Sequence, residues 1–403
     1  MEGRHTLVFV ALLALAGCRQ EAVAPYPSWA PRTPAYVPQR GTQNAFDAYA
    51  LAAMEAERDA PTHVRRVVFD IKLRREAMEQ ASRATQIALN GTRLPCDFEF
   101  QALPPFEPMP HRDGWRLISR VMVWNIERAL AENRDQEAIN WFVGATKFGW
   151  DLTGGCALDA SLGLTTVDEA RKALLPALER LQSTALSALS SRLNTLLDRR
   201  PPLGKLLENE RMIMLNAVDF VQQAYRSKDL DELADKLGPS ARPAVDYLHG
   251  LKEGADRQKY FEGFAEESGK EIAWVQKLLE TPVSARKDLE KMGFAEERPW
   301  RRLSRHFFQA AQNLVPHIDR TLTRTRLLAL ECHILAVTKK TGNAPKSLGD
   351  GSLNDDPFTG KPMHYRAEGR DYRVYSAGVN GQDDGGQTNG LSEEPDLTLE
   401  GRG

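Results

Sequence analysis

The chain carries four cysteines. Cys18 closes the run Leu15-Ala16-Gly17-Cys18, behind an apolar stretch from Leu7 to Ala16 and with Arg4 ahead of it. A basic start, an apolar core of about ten residues and small residues at a cut point together form a secretory signal. The run is too short to span a bilayer, which takes about 20 residues. Export places Cys96, Cys156 and Cys332 in a compartment that permits disulfides, and three thiols leave one free. Cys96 and Cys156 flank a helical hairpin whose antiparallel course returns its ends to one side, so these two are expected to pair. Cys332, between Leu330 and Ile334 on a helix, is expected to be a buried free thiol.

Other reactive residue types do not combine into a catalytic set. Ser284-Ala285-Arg286-Lys287 fits S-x-x-K and Lys340-Thr341-Gly342 fits K-T-G, the pair found in penicillin-binding enzymes. Too few residues separate them for the intervening domain, and Gly342 reads better as a helix C-cap. The eight histidines are scattered, with no H-E-x-x-H or paired-ligand spacing. Glu208 and Glu210 point to different faces of a helix, which makes a poor acid/base pair. No catalytic residue is assigned, and the chain is expected to be non-catalytic. The enzyme alternative would need residues gathered from distant helices around a deep polar cleft with clustered carboxylates. Asp383, Asp384 and Asp396 stand apart from all these, concentrating negative charge where little apolar content surrounds it.

The elements that must position these groups are mainly helical. The 403 residues carry a net charge of −2, without the basic excess or stripe that nucleic acid demands. Residues 19–42 repeat proline at 25, 27, 31, 34 and 38 and read as an extended tether. Apolar spacing predicts helix over 43–90, broken at Pro61, then a proline-rich loop over 91–114. Trp115, Ile118, Val121, Met122 and Ile126 form one stripe, and Ala138, Ile139, Phe142, Val143 and Phe148 a second. With turn chemistry at Glu132–Asp135 between them, these form an antiparallel hairpin whose aromatic residues read as core. Further helices are expected over 167–198, 205–225, 229–291 with breaks at Gly238-Pro239 and Pro282, and 305–341 with a break near Pro316. Short β runs at 363–366 and 371–376, joined across 367–370, predict a small antiparallel hairpin. The fold class is therefore mainly α: a multi-helix body of helical hairpins over 43–315, then a small α+β C-terminal module with a short antiparallel sheet over 316–403.

Two resemblances add to this reading. Leu15-Ala16-Gly17-Cys18 resembles the lipobox of bacterial lipoproteins, which implies that 1–18 is a signal peptide and that Cys18 is cut free and acylated. Several acyl chains, at about 0.8 kcal/mol per buried CH₂, give stable anchoring. Arg19 rather than Asp after the cysteine implies the outer membrane, with the body facing the periplasm or the cell surface. The second resemblance runs through Asp356-Pro357, Gly360, Pro362, Tyr365, Asp371-Tyr372, Tyr375-Ser376, Gly378, Asn380-Gly381, Asp383-Asp384-Gly385-Gly386 and Asp396-Leu397. This order, preceded by Pro345-Lys346-Ser347-Leu348, is similar to the C-terminal part of major pseudopilins of type II secretion systems. It implies a calcium ion held by Asn380, Asp383, Asp384 and Asp396, and Ca²⁺ does favour hard oxygens on a Gly-rich loop. The helical portion is similar to bacterial envelope proteins ending in the same module. No hydrophobic polymerising helix adjoins this module, so a borrowed fold without pilus assembly is expected. Together these imply an envelope lipoprotein whose helical body contacts protein partners, or alternatively an accessory of a type II secretion or pilus-like machine.

Replacing Cys18 by Ser should abolish palmitate labelling and move the protein from the membrane to the soluble fraction. Unchanged labelling would rule out the lipid anchor.

Overall fold

The computed structural model describes residues 37–399 except 42, 66–69, 101–110, 252–253, 287–288, 290–297, 299, 350 and 387–395. Cys18, the signal segment and the tether to residue 36 lie outside the described residues. The described chain is mainly helical and ends in one two-stranded antiparallel sheet.

The first helix, α1 (Ala45–Asp59), is capped by Asn44, whose side chain accepts from Phe46 N at 3.1 Å and so satisfies one of the open N–H groups of the first turn. Asn44 Nδ2 also donates to the Asp97 carbonyl at 2.8 Å, which pins the segment around Pro95 to the start of the body. Pro61 ends this stretch as expected, and the short α2 (Thr62–Arg65), α3 (Ile71–Gln80) and α4 (Ser82–Gly91) follow. The hairpin is α5 (Arg112–Ala131) and α6 (Asp135–Leu152). Its turn uses Asn133 at φ 55°, a left-handed conformation that Asn tolerates better than most residues. Trp115, Trp124, Phe142 and Trp150 are all buried, so the aromatic stripe is core.

Next comes α7 (Ala157–Leu174), then a 3₁₀ turn at Leu175–Ala177 around Pro176, and α8 (Ser183–Asp198). The backbones of α6 and α7 meet at two glycines. A Cβ on Gly163 would lie 2.1 Å from the Gly149 carbonyl oxygen, so this crossing depends on both positions lacking side chains. Then follow α9 (Leu203–Ser227), α10 (Leu230–Leu237), α11 (Arg242–His249) and α12 (Ala255–Glu280).

The last helix differs from expectation. α13 (Arg301–Thr341) runs 41 residues straight through Pro316. Proline removes one donor and crowds the carbonyl four residues back. Here Leu314, Val315 and Ile318 around it are all buried, and their burial on one helical course offsets the lost bond. The helix ends at Gly342 with φ 84°, the left-handed cap that glycine adopts without strain. The boundary expected at 315/316 therefore falls inside a continuous helix.

Two apolar cores result. The first gathers α1, α4 to α6 and α8 with Leu327 to Ala336 of α13. The second gathers Trp150 and the apolar side of α7 with α9 to α12 and Leu303 to Leu322 of α13. The sheet pairs β1 (His364–Glu368) with β2 (Asp371–Tyr375), in register from His364↔Tyr375 to Glu368↔Asp371. Its turn is tighter than the 367–370 connection expected, because Gly369 takes φ 64°. Met363 and Leu399 carry the module onto the first core.

Candidate functional site

Asp356 organises the C-terminal module. Its Oδ1 accepts from Phe358 N at 2.9 Å and Ser376 Oγ at 2.8 Å, and its Oδ2 from Ala377 N at 3.1 Å. Ser376 and Leu397 exchange backbone bonds of 3.0 and 2.9 Å. The acidic loop is thus fastened where it leaves β2 and again where the chain returns beside it.

Within that frame the expected ligands separate into two groups. Asp383 is occupied: Oδ1 accepts from Tyr375 OH at 2.8 Å and Gly385 N at 2.9 Å, and Oδ2 lies 3.2 Å from His364 Nδ1. The Tyr375 hydroxyl, the Gly385 N–H and the His364 and Arg366 charges hold this exposed carboxyl below its ordinary range. Asn380 turns its oxygen to Gln382 N at 2.9 Å and its amide to Asp384 Oδ2 at 3.0 Å. Asp396 differs. It is 2 % exposed, Oδ2 accepts from Gly386 N at 2.7 Å, and Oδ1 is buried with no partner. Burial pushes its carboxyl above the ordinary range against the pull of the Gly386 and Asp384 N–H groups, and the charges of Asp384 and Asp383 add to the rise. Among the described residues no three acidic, His or Cys side chains converge as a finished metal shell. The unpartnered Asp396 oxygen, facing the repulsion of Asp384, is the feature that fits a cation.

The cysteines do not behave as expected. Cys96 and Cys156 are both free thiols in the structure, so the Cys96–Cys156 pairing is corrected. The hairpin returns both to the body, but each is drawn into a different polar group. Cys96 lies near Asp151, which accepts from Tyr49 OH at 2.7 Å and pairs with Lys147. Cys156 precedes α7, and its thiol donates to Asp159 Oδ2 at 3.2 Å. Cys332 is buried, as expected.

Around Cys156 three elements gather a buried polar cluster. Asp159 Oδ2 also accepts the Cys156 N–H at 3.2 Å, and Asp159 Oδ1 lies 3.4 Å from Arg112 Nη2. Glu210 Oε1 accepts from Ala157 N at 2.6 Å, at the α7 N-terminus, while Asn209 Nδ2 donates to the Gly154 and Gly155 carbonyls at 2.8 and 3.0 Å. His111, at φ 69°, begins α5 beside them. Burial pushes the Cys156 thiol well up, and the Asp159 and Glu210 charges add to this. A thiolate is the reactive form, so Cys156 serves as a neutral hydrogen-bond donor to Asp159 in the first turn of α7. Burial, with Asp159 beside it, raises Glu210 to about 7 against the pull of the Ala157 N–H and Arg112. The only sequence signal for this cluster was the Gly154-Gly155 turn ahead of a cysteine. Glu208 and Glu210 do face opposite ways, one exposed and one buried.

An open cleft of 680 Å³ lies elsewhere, between α13 and β2, lined by Glu331, Lys339, Arg370, Tyr372 and Arg373 among others. Tyr372 OH donates to Glu331 Oε1 at 2.6 Å across its floor. The cleft and the Cys156 cluster share no residue.

A carboxyl whose folded value is raised keeps its proton where the unfolded chain has released it, so stability falls as pH rises between the two values. For Glu210 this window runs from about 4.5 to about 7, and the linkage amounts to about 3 kcal/mol. Urea unfolding from pH 4.5 to 8 should show the wild type losing that much relative to Glu210→Gln, whose amide oxygen still accepts the Ala157 N–H. Parallel curves for the two proteins would refute this assignment.

Comparison with protein-family models, curated protein sequences and solved structures gives no match to this chain.

Proposed function

We propose that this chain is a non-catalytic lipoprotein of the bacterial cell envelope. In this reading it is anchored through acylated Cys18, its helical body contacts envelope proteins, and its C-terminal module is closed by calcium. The observation that carries the calcium part is the buried, unpartnered Asp396 Oδ1, set at the end of an acidic Gly-rich loop. Asp396 and Asp384 would hold the ion, with loop carbonyls completing the six to eight oxygens that Ca²⁺ takes. Asp383 would stay with Tyr375 and Gly385, which position the loop. The ion supplies positive charge that lets Asp396 ionise in a buried place.

The non-catalytic part is supported by what the buried polar groups do. Asp151, Asp159, Glu210 and Asp356 each join separate segments through hydrogen bonds. None of these four lines the cleft. A role as accessory to a type II secretion or pilus-like machine is supported by the order of helix, proline-containing loop, hairpin and acidic loop at the C-terminus.

Extracellular calcium modules work with dissociation constants of about 10⁻⁴–10⁻³ M, and an ion that binds only the folded state raises its stability by mass action. The melting midpoint should therefore rise by several degrees between chelator and 5 mM (about ten times a mid-range dissociation constant) calcium. Asp396→Ala and Asp384→Ala should each remove the difference. Identical melting of the wild type in both conditions would overturn the calcium site.

A further inference from the structure

The cleft between α13 and β2 runs along a strand edge. Arg370 and all five residues of β2 line it, and no residue of β1 does. Side chains alternate across a strand, so a hollow over one face of the sheet would meet every second residue, whereas an edge meets them all. The opposite wall is one face of α13, given by Glu331, Leu335, Thr338 and Lys339 at helical spacing. One end of the edge is already taken. Ser376 and Leu397 exchange backbone bonds there, so Ser376 turns its N–H and C=O away from β1. Alternate residues of a strand turn these groups the same way, which aims those of Val374 outward too. The Ser376–Leu397 register sets Leu399 opposite Val374, yet no backbone bond joins the two among the described residues. The pairing stops at Leu397, and the outward N–H and C=O of Val374 face the cleft with no backbone partner among the described residues.

The cleft is also cationic. Lys339 Nζ donates to the Glu179 carbonyl at 2.7 Å, Arg370 Nε to the Gly342 carbonyl at 3.1 Å and Arg373 Nη1 to the Gly385 carbonyl at 3.1 Å. A carbonyl fixes the place of a cation without neutralising it. Among the described residues none of these three is ion-paired with a carboxylate. Glu331 accepts from Tyr372 OH, and Glu179 is engaged as well, so among the described lining residues Asp371 is the carboxylate left to face three cations. The volume of 680 Å³ suits a ligand site. Its helical wall from Glu331 to Lys339 runs about 12 Å, room for about four residues of extended chain.

An open N–H and C=O on a strand edge call for another extended main chain, and guanidinium and ammonium groups without counter-ions call for carboxylates. We propose that the β2 edge takes an extended acidic segment of a partner protein as an added strand. Its main chain would bond Val374, and its carboxylates would meet Lys339, Arg370 and Arg373. Main-chain bonds supply the affinity, and the charges select the partner. The site needs neither the lipid anchor nor the calcium ion.

The test is fluorescence anisotropy of a fluorescein-labelled peptide of about six alternating valine and aspartate residues, titrated with the full chain. Binding should saturate, and the same peptide with lysine in place of aspartate should not bind. Val374→Pro removes the outward N–H, which an edge strand tolerates because no bond to β1 uses it, and should weaken binding about ten-fold. Val374→Thr keeps the amide and should bind as the wild type does. Should the Pro variant not fold, Lys339→Glu with Arg370→Glu, both on exposed side chains, should also weaken binding about ten-fold. No saturable binding by the full chain would overturn the site, and is the result expected if residues 400–403, outside the described residues, fill the edge themselves. Equal binding of the lysine peptide, or unchanged affinity in either folded variant, would overturn it as well.

Discussion

The rest of this fold leans on one helix that two different cores bury, one toward each end. The N-terminal half of α13 closes the second core through Leu303, Leu314 and Ile318, and the C-terminal half closes the first through Leu327, Leu328 and Cys332. Full burial of such side chains contributes about 1.5–3 kcal/mol each, which outweighs the backbone bond lost at Pro316. Just past that proline, Asp319 forms a buried ion pair with Arg286, whose Nε also donates to the Thr281 carbonyl at 2.8 Å. Burial raises the Asp319 carboxyl against the pull of Arg286. A buried pair of this kind adds little net stability, but removing one partner strands the other charge at a cost of about 3–5 kcal/mol. It therefore fixes how the segment after α12 meets the helix more than it strengthens the contact.

The C-terminal module inherits its position from the same helix. Tyr372 reaches Glu331, Arg326 reaches the Asp355 carbonyl, and Tyr365 OH donates to the Pro345 carbonyl at 2.6 Å. Ser284 N donates to the Phe358 carbonyl at 2.8 Å, so the segment after α12 touches the module as well. The acidic loop is held by a frame that is complete without it. This lets Asp396 be buried with one oxygen open, an arrangement too costly for a loop that had to fold by itself.

Much of the architecture could be read from local patterns. The stripe from Trp115 to Phe148, the turn at Asn133, the cap at Gly342 and the hairpin around Gly369 all follow from periodicity and from residues suited to left-handed backbone. Long-range partnership was not legible. Nothing near Pro316 announces that two cores will hold the helix continuous. Glu210 lies far along the chain from the Ala157 N–H it accepts. The Cys96–Cys156 expectation failed for the same reason: chain spacing placed both thiols near the hairpin ends, while Asp151 and Asp159 decide which way each environment faces. Residues of the acidic loop could be singled out, but only the fold shows that Asp383 is engaged by Tyr375 while Asp396 is left open.

The central claim is that a cation completes the loop between Ser376 and Asp396, and amide hydrogen exchange addresses it at the residues concerned. With calcium, the Gly386 and Leu397 amides, which donate to Asp396 and to the Ser376 carbonyl, should exchange at least ten-fold more slowly than in chelator, with α5 and α6 unchanged. Equal exchange across 376–397 in the two conditions would contradict the account.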